Sequence, residues 1–368
     1  MPNIALLHYW LTNRRGGENV LAEICRLFPD ADLFTHAWNP EQITEPFNQH
    51  QIHESFIASL PGARRGCQKY LPLMPTALRR LDLSSYDLLI SSESGPVKGV
   101  RKRPDAIHIC YCHTPMRYLW DMYQEYYDHA GIGGKIGMRL FRNYLRRYDL
   151  ASADGVDYFI ANSRFIAERI SRIYHRESTV IYPPVDTAYF RPDGKTQKQD
   201  YYLFVGQLNE YKRPDLAVEA CLRLNRKLIL VGDGECRSIL EKRCGENPNI
   251  IFAGRSSREA LRHYYAEARA LLFPGIEDFG IVPLEAQAAG TPVIAFGAGG
   301  ALETVLDQKT GLFFSAANSA SLCEAMEQFE AMHWNPDAAI RHAESFNPQR
   351  FRDQISAFVT LHVPHCLV

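Results

Sequence analysis

The stretch GIEDFGIVPLEAQAAGTPVIAFGAGG, residues 275–300, decides the predicted fold. It follows an apolar run at 270–273, which is typical of a buried parallel strand ended by a Pro-Gly break. Pro283 suits the first turn of a helix, and Gly290 suits its end. A second apolar run at 293–295 predicts another buried strand. The stretch therefore predicts a strand, a loop, a helix and a strand in that order.

Four residues form the predicted strand-to-helix loop: Phe279, Gly280, Ile281 and Val282. Their backbone N–H groups would point outward at a helix start, where roughly half a positive charge favours an anion. Glu277 precedes this loop, and Glu285 lies in the predicted first turn. Taken alone, each glutamate has an equally good explanation without a ligand. Glu277 could be a solvated loop residue, and Glu285 could complement the helix dipole. Together they predict a nucleotide-sugar site, with a phosphate at the N–H groups and a carboxylate on each side.

The segment EDFGIVPLE, residues 277–285, resembles the signature of retaining glycosyltransferases with the two-domain GT-B architecture, family four. The resemblance implies an α/β fold of two doubly wound Rossmann-like domains that face a central cleft. It also implies a last helix that crosses back onto the first domain. The C-terminal domain would bind the nucleotide-diphosphate sugar, and the N-terminal domain would bind the acceptor.

Length and composition favour two globular domains. The chain has 368 residues, of which 46% are hydrophobic and 23% charged; this is ordinary for a globular protein and too long for one typical core. No apolar run approaches the ~20 residues needed to span a bilayer. The N-terminus lacks the features of a signal peptide, so we expect a cytoplasmic protein. The nine cysteines lack metal-ligand spacing.

Short apolar runs alternate with helical segments, as in parallel sheets with helices on both faces. Six N-terminal strands are predicted, at 3–9, 33–35, 88–91, 107–111, 158–161 and 180–182. Six C-terminal strands are predicted, at 201–205, 227–231, 250–252, 270–273, 293–295 and 311–313. We place the N-terminal domain at 1–190, completed by a C-terminal helix at 347–368, and the C-terminal domain at 191–346.

Ligands of such sheets bind beyond the carboxyl ends of the strands. Gly16 and Gly17 follow the first strand, and the resemblance implies that they meet donor phosphate or acceptor. His113 follows a later strand, where a lone histidine is more often structural than catalytic. Its surroundings, YCHTPMRYLWD at 111–121, resemble a branch of the family from bacterial O-antigen and exopolysaccharide clusters, often assigned as mannosyltransferases. That resemblance implies that His113 lies against the donor sugar.

The segment GQLNEYKR, residues 206–213, opens the C-terminal domain. The resemblance implies that Lys212 binds the diphosphate. Gln207 stands where the family usually has arginine, so one diphosphate contact is neutral or is supplied by Arg213. A neutral hydrogen bond contributes about 1 kcal/mol, against roughly 1.5–3 kcal/mol for a charge-assisted one. Arg255 would lie near the nucleotide base.

These residues predict a retaining hexosyltransferase that moves mannose from GDP-mannose to a lipid-linked saccharide in O-antigen or exopolysaccharide biosynthesis. Lys212, Gln207 and the loop N–H groups would stabilise the leaving diphosphate. Glu277 would bind sugar hydroxyls and oppose the developing positive charge, while Glu285 would bind the ribose and His113 the sugar. The helix start can replace a cation, so we expect no metal or other cofactor.

Three alternatives remain: a UDP-sugar donor, a sugar-nucleotide epimerase, and a non-catalytic nucleotide-sugar-binding partner.

Basic residues are concentrated in the N-terminal half, although the net charge of the chain is −1. Residues 60–110 contain nine Lys or Arg and four acidic residues. Four more basic residues recur at helical spacing and are called the basic stripe: Lys135, Arg139, Arg142 and Arg146. Such a stripe is typically a solvated helix face; the alternative is a contact with an anionic membrane surface or a lipid diphosphate. No nucleic-acid partner is expected.

Overall fold

The computed structural model describes residues 2–14, 16–192, 194 and 196–363. The chain forms two compact units. The N-terminal unit runs to Tyr182 and resumes at Phe351, and the C-terminal unit is Pro183–Arg350. The division falls after residue 182, where the sequence placed it after 190. The reason is that Phe190 packs in the core of the C-terminal unit, and Val185 N–H donates to Phe346 O at 2.9 Å.

The N-terminal unit contains a seven-stranded sheet in which every neighbouring pair is parallel. Its strands are β1 (Ile4–His8), β2 (Asp32–Thr35), β3 (Ile52–Glu54), β4 (Leu88–Glu93), β5 (Ile107–Cys112), β6 (Tyr158–Ala161) and β7 (Ser178–Val180). The spatial order is β3-β2-β1-β4-β5-β6-β7. The sequence predicted six strands and missed β3, which is an edge strand of three residues, two of them polar.

The C-terminal unit contains a six-stranded parallel sheet. Its strands are β8 (Tyr202–Val205), β9 (Leu228–Val231), β10 (Ile250–Gly254), β11 (Ala270–Phe273), β12 (Val293–Phe296) and β13 (Gly311–Phe314). All six lie where the sequence predicted strands. The order β10-β9-β8-β11-β12-β13 is that of a doubly wound sheet, whose direction of winding reverses between β8 and β11.

Helices connect the strands of both sheets. The N-terminal unit has α1 (Gly16–Leu27), α2 (Met74–Leu78), α3 (Tyr123–His129), α4 (Ile132–Asp154) and α5 (Arg164–Tyr174). The C-terminal unit has α6 (Thr187–Phe190), α7 (Pro214–Arg223), α8 (Arg237–Cys244), α9 (Arg258–Glu267), α10 (Ile281–Ala288), α11 (Ala301–Thr304), α12 (Ser319–Glu330) and α13 (Pro336–Glu344). The last helix is α14 (Pro348–His362).

The last helix completes the core of the N-terminal unit. Phe351, Ile355 and Phe358 are buried against residues of the N-terminal sheet such as Leu6 and Ile90. Their spacing places them on one face of α14. Each such side chain contributes roughly 1.5–3 kcal/mol when fully buried. The predicted fold of two doubly wound α/β units, with a C-terminal helix returning to the first, is therefore confirmed.

Candidate active site

The predicted donor-binding residues of the C-terminal unit follow β8 and β11, the two strands at the point where the winding reverses. Lys212 ends a short 3₁₀ turn that begins at Glu210 after β8. Glu277 lies between β11 and α10. Because the carboxyl ends of adjacent parallel strands meet at one edge, residues far apart in sequence come together there.

Lys212 and Glu277 form an ion pair between Nζ and Oε1. Each side chain keeps 16% of its surface exposed, so the pair is enclosed but reachable from solvent. Lys212 Nζ also lies 5.7 Å from the ring centroid of Tyr211. The structure thus brings together the cation and the first carboxylate that the sequence assigned to one site.

Gly275 allows these two loops to approach each other. A Cβ atom at this position would lie 2.6 Å from Lys212 Cα and 2.7 Å from Tyr211 O, distances that no side chain tolerates. A larger residue would push the loop after β11 away from the turn that carries Lys212. The glycine next to the Pro274 break is therefore a requirement of the ion pair.

The helix start predicted in this loop is present. Gly280 is the N-cap of α10 with φ 96° and ψ 67°, a left-handed conformation that favours glycine. The first N–H groups of a helix have no intrahelical acceptor, and the N-cap residue Gly280 has no side chain that could accept from them. Ile281 and Val282, at this start, are partly exposed. Phe279 is instead buried, with its ring 5.8 Å from that of Phe346, so its side chain supports the loop.

Glu285 lies one turn further into α10 than the sequence predicted. The helix begins at Ile281, so Glu285 is its fifth residue and no acidic residue occupies the first turn. Its Oε2 accepts a hydrogen bond from the Tyr265 hydroxyl at 2.8 Å. Burial raises the pKa of Glu285 to about 7, although the Tyr265 hydroxyl and Arg258 lower it. The side chain is partly exposed and held in place, which leaves an oriented carboxyl group for a ligand.

Tyr265 was not found by sequence reasoning. It lies on α9, and it meets Glu285 only because α9 and α10 pack together. Its ring is fully buried and packs edge-on against Phe190, at 5.4 Å between centroids. No periodicity or motif in the sequence distinguishes this tyrosine from an ordinary core residue.

The remaining predicted residues of this unit are less well placed for phosphate. The Arg213 guanidinium donates to Asp215 from Nε at 3.0 Å and from Nη2 at 2.9 Å. This partner raises the pKa of Arg213. That Arg213 supplies a diphosphate contact in place of Gln207 stays a prediction. Gln207 and Arg255 are both exposed, on the loops after β8 and β10.

In the N-terminal unit, the first predicted loop is partly helical. The sequence placed Gly16 and Gly17 before a helix at Glu18, whereas α1 already begins at Gly16. The two glycines form its first turn, beside the switch point between β1 and β4. A Cβ atom on Gly17 would lie 3.0 Å from the Tyr9 hydroxyl and 3.4 Å from His113 Nε2. The glycine, the tyrosine and the histidine thus share one small region.

His113 follows β5 and is half-buried. Its Nε2 lies 2.9 Å from Ser92 Oγ at the end of β4, and its backbone N–H donates to Glu93 O at 2.8 Å. Burial lowers the pKa of His113 to about 3, with a further contribution from His8. The imidazole is therefore neutral at physiological pH and can exchange hydrogen bonds without carrying charge.

A cavity of about 200 Å³ lies elsewhere in the C-terminal unit. Its lining includes Lys198, Arg269, Pro292 and Lys309, which precede β8, β11, β12 and β13. These residues are at the amino ends of the strands, opposite the edge that carries Lys212. The cavity is therefore not the predicted donor site.

Two family models match the chain. The N-terminal half matches Glycosyltransferase Family 4 over residues 14–189, and the C-terminal half matches Glycosyl transferases group 1 over residues 185–345. The chain belongs to the family-four glycosyltransferases of group 1. The two matches in tandem correspond to the two doubly wound units of this glycosyltransferase.

Several curated relatives of this chain are D-inositol 3-phosphate glycosyltransferases. The chain is 28% identical over 218 residues to a D-inositol 3-phosphate glycosyltransferase of Mycobacteroides abscessus, covering 53% of this chain and 49% of that protein. The chain thus spans about half the length of this curated relative. Anabaena HepE in complex with UDP superposes with a TM-score of 0.71 at 17% identity, covering 98% of this chain and 100% of HepE.

The lipopolysaccharide outer core galactosyltransferase WaaB, in its apo form, superposes with a TM-score of 0.68 at 17% identity, covering 98% of this chain and 100% of WaaB. At such identities, these two structures support the GT-B fold alone.

Within the described ranges, no helix is long and apolar enough to cross a bilayer.

Proposed function

We propose that this glycosyltransferase moves a hexose from a nucleoside diphosphate sugar to an acceptor, with retention of anomeric configuration. The observation that carries the proposal is the contact between Lys212 and Glu277 beside the start of α10, whose N-cap residue is a glycine. In a nucleotide sugar, the phosphate and the sugar ring share one oxygen. A ligand that offers phosphate to Lys212 and hydroxyls to Glu277 therefore suits two side chains that already touch.

The residues divide the chemistry between them. Lys212, Gln207 and the N–H groups at the start of α10 stabilise the negative charge of the leaving diphosphate. Glu277 accepts hydrogen bonds from sugar hydroxyls and opposes the positive charge that develops at the anomeric carbon. Glu285, oriented by Tyr265, binds the ribose. His113 contributes a neutral hydrogen bond to the sugar.

This division needs no metal ion, because the lysine and the helix start supply positive charge at the diphosphate. Transfer should accordingly persist in excess EDTA. Loss of activity in EDTA and its rescue by Mn²⁺ or Mg²⁺ would contradict a metal-free reaction.

For the donor, we propose mannose from GDP-mannose, on the resemblance of residues 111–121 to mannosyltransferases of polysaccharide clusters. A UDP-sugar is the second candidate, because HepE, a protein of similar fold, is described in complex with UDP. For the acceptor, we propose a lipid-linked saccharide of surface-polysaccharide biosynthesis, met at an anionic membrane surface from the cytoplasmic side. WaaB, which has the same fold, is a lipopolysaccharide galactosyltransferase.

A thermal-shift screen across GDP-, UDP- and ADP-sugars tests the donor. A ligand that binds the folded state raises Tm, so the stabilising class identifies the base. Glu285→Ala should weaken that shift, whereas Glu324→Ala, on the exposed side of α12, should leave it unchanged. The absence of a shift with every nucleotide sugar would contradict the proposal.

Product analysis with a lipid-linked acceptor tests the reaction itself. A new glycosidic bond with the donor's anomeric configuration supports retaining transfer. Isomerised nucleotide sugar without transfer would indicate an epimerase. Binding without any product would indicate a non-catalytic partner.

A further inference from the structure

Helix α4 exposes large apolar side chains along one face. Ile132, Ile136 and Leu140 keep 83%, 55% and 71% of their surface exposed, and they lie four residues apart. Phe141 and Tyr144 are also exposed and continue the same side of the helix. These five residues are called the apolar face. Monomeric proteins rarely leave so many neighbouring large apolar side chains in water without a function.

The fold does not need this part of α4 for its core. The buried residues of the helix are Leu145, Asp149, Ser152 and Ala153, all in its C-terminal half. Leu145 packs in a small cluster with Met116 and Leu119. The N-terminal half, from Ile132 to Tyr144, has no buried residue. The apolar face can therefore contact a partner without disturbing the core.

The basic stripe lies beside the apolar face and is held against α3. Lys135 Nζ lies 5.6 Å from the ring centroid of Tyr127, and Arg142 Cζ lies 3.8 Å from that of Tyr123. Arg146 Cζ lies 4.6 Å from the Trp120 ring. These three side chains are half-buried, so most of the stripe is not the solvated face that its spacing predicts. The helix side that is most exposed is the apolar one.

The charge of α4 identifies the kind of partner. From Ile132 to Tyr148 the helix contains five basic residues and no acidic residue: Lys135, Arg139, Arg142, Arg146 and Arg147. Arg139 and Arg147 are exposed next to the apolar face. A second copy of this chain would bring like charges together. An anionic bilayer accepts apolar side chains between its headgroups and attracts the surrounding cations.

We infer that the apolar face of α4 inserts into the headgroup region of an anionic bilayer, with Arg139 and Arg147 at the lipid phosphates. The inference rests on the proposed function, because a lipid-linked acceptor would be met at that surface. It assigns membrane binding mainly to apolar residues, whereas the alternative drawn from the sequence pattern assigned it to the basic stripe.

Co-sedimentation with vesicles of phosphatidylethanolamine and phosphatidylglycerol tests this inference, with phosphatidylcholine vesicles as the uncharged comparison. The variant Ile132→Ser, Ile136→Ser, Leu140→Ser should lower the partition coefficient at least about tenfold at low and high salt alike. Arg139→Gln with Arg147→Gln should lower it about fivefold per residue at low salt only. The matched control is Ile239→Ser with Leu361→Ser, two exposed apolar residues outside α4, and it should bind like wild type.

Donor binding, measured by thermal shift on the same variants, separates the two proposals. If the triple serine variant binds its nucleotide sugar normally and sediments like wild type, the apolar face does not insert and the proposed function stands. If wild type responds to no nucleotide sugar, the proposed function fails whatever the vesicles show. An equal loss of vesicle binding in the control variant would also contradict insertion. So would a wild-type dimer that is absent only in the triple serine variant.

Discussion

The two sheets end in the same way at their switch points but present different chemistry there. In the C-terminal unit, the loops after β8 and β11 bring opposite charges into contact, Lys212 and Glu277, at a partly open position. In the N-terminal unit, the corresponding edge presents His113, whose pKa is lowered to about 3 by burial, and the hydroxyl of Ser92. One edge suits a charged group such as diphosphate, and the other suits neutral hydroxyls.

The N-terminal unit does contain charges near this edge, but they are enclosed. Lys98 Nζ lies 3.0 Å from Glu93 Oε1 and also contacts Asp149, and all three side chains are buried. The Tyr174 hydroxyl donates to Asp149 at 3.0 Å. Buried charges of opposite sign that are hydrogen-bonded to one another have little field left for a ligand. The same topology therefore yields a charged or a neutral site, according to where its ionic groups form their hydrogen bonds and ion pairs.

The largest expected effect comes from the charged edge. Lys212→Ala should lower kcat by roughly 10²–10³-fold, because it removes a group that stabilises the leaving diphosphate. Glu277→Ala should also lower kcat, since its contact strengthens as positive charge develops. Steady-state kinetics with the donor identified by thermal shift measures both.

The double variant sharpens this test. Lys212 and Glu277 touch, so their effects should be far from additive in a double-mutant cycle. Small and additive losses would indicate that the ion pair is an ordinary surface contact.

The neutral edge should give a smaller effect. His113→Ala should lower kcat/KM about tenfold, the size expected for one neutral hydrogen bond. Because the pKa of His113 is about 3, that loss should be the same from pH 5.5 to 8.5. His113→Asn, which can still meet the Ser92 hydroxyl, should retain more activity. A loss that appears only below pH 7 would mean that His113 acts as a cation and that the comparison of the two edges is wrong.

Much of the fold and of the C-terminal site could be predicted from the sequence, because these features depend on local patterns. The order of strand, loop and helix after β11, the six strands of the C-terminal unit and the helix α14 all follow from short-range spacing. The sequence placed Ile281 and Val282 in the loop, whereas they begin α10. The family resemblance implied that Lys212 and Glu277 serve one donor site, and their direct contact is an observation of the structure. Its dependence on Gly275 became visible only when the two loops were seen to meet.

The rest depends on tertiary packing. Tyr265 contacts Glu285 from another helix. Because α10 begins at Ile281, Glu285 lies beyond its first turn. Lys212 pairs with Glu277, whereas the neighbouring Arg213 pairs with Asp215. Sequence spacing does not determine which carboxylate each of these two basic residues contacts.

A further effect concerns the carboxyl group of Glu285. Glu285→Ala should raise the donor KM about tenfold with little change in kcat, because it removes one or two ribose hydrogen bonds.

Donor affinity in wild type should fall as pH drops through about 7, since protonation of Glu285 removes its capacity to accept hydrogen bonds. Tyr265→Phe should move that fall to higher pH, because the hydroxyl that favours the carboxylate is lost. Equal kcat losses for Glu285→Ala and Glu277→Ala would erase the difference between the two carboxylates.

The smallest expected effect is on the stability of the ligand-free protein. The pKa of Glu285 in the folded chain, about 7, is raised above its ordinary value of 4.5 by burial. The folded state therefore holds a proton that the unfolded state releases between these values. The contribution of this bound proton to stability is present below pH 4.5 and is lost as pH rises through about 7.

Glu285→Gln, which stays neutral, should be free of that loss. The Tm difference between Glu285→Gln and wild type should increase from pH 5 to pH 8, by up to about 3 °C. Glu324→Gln, at an exposed position of α12, is the matched control for the substitution itself. A flat profile for Glu285→Gln would place its carboxylate in solvent and remove the reason for its oriented contact with Tyr265.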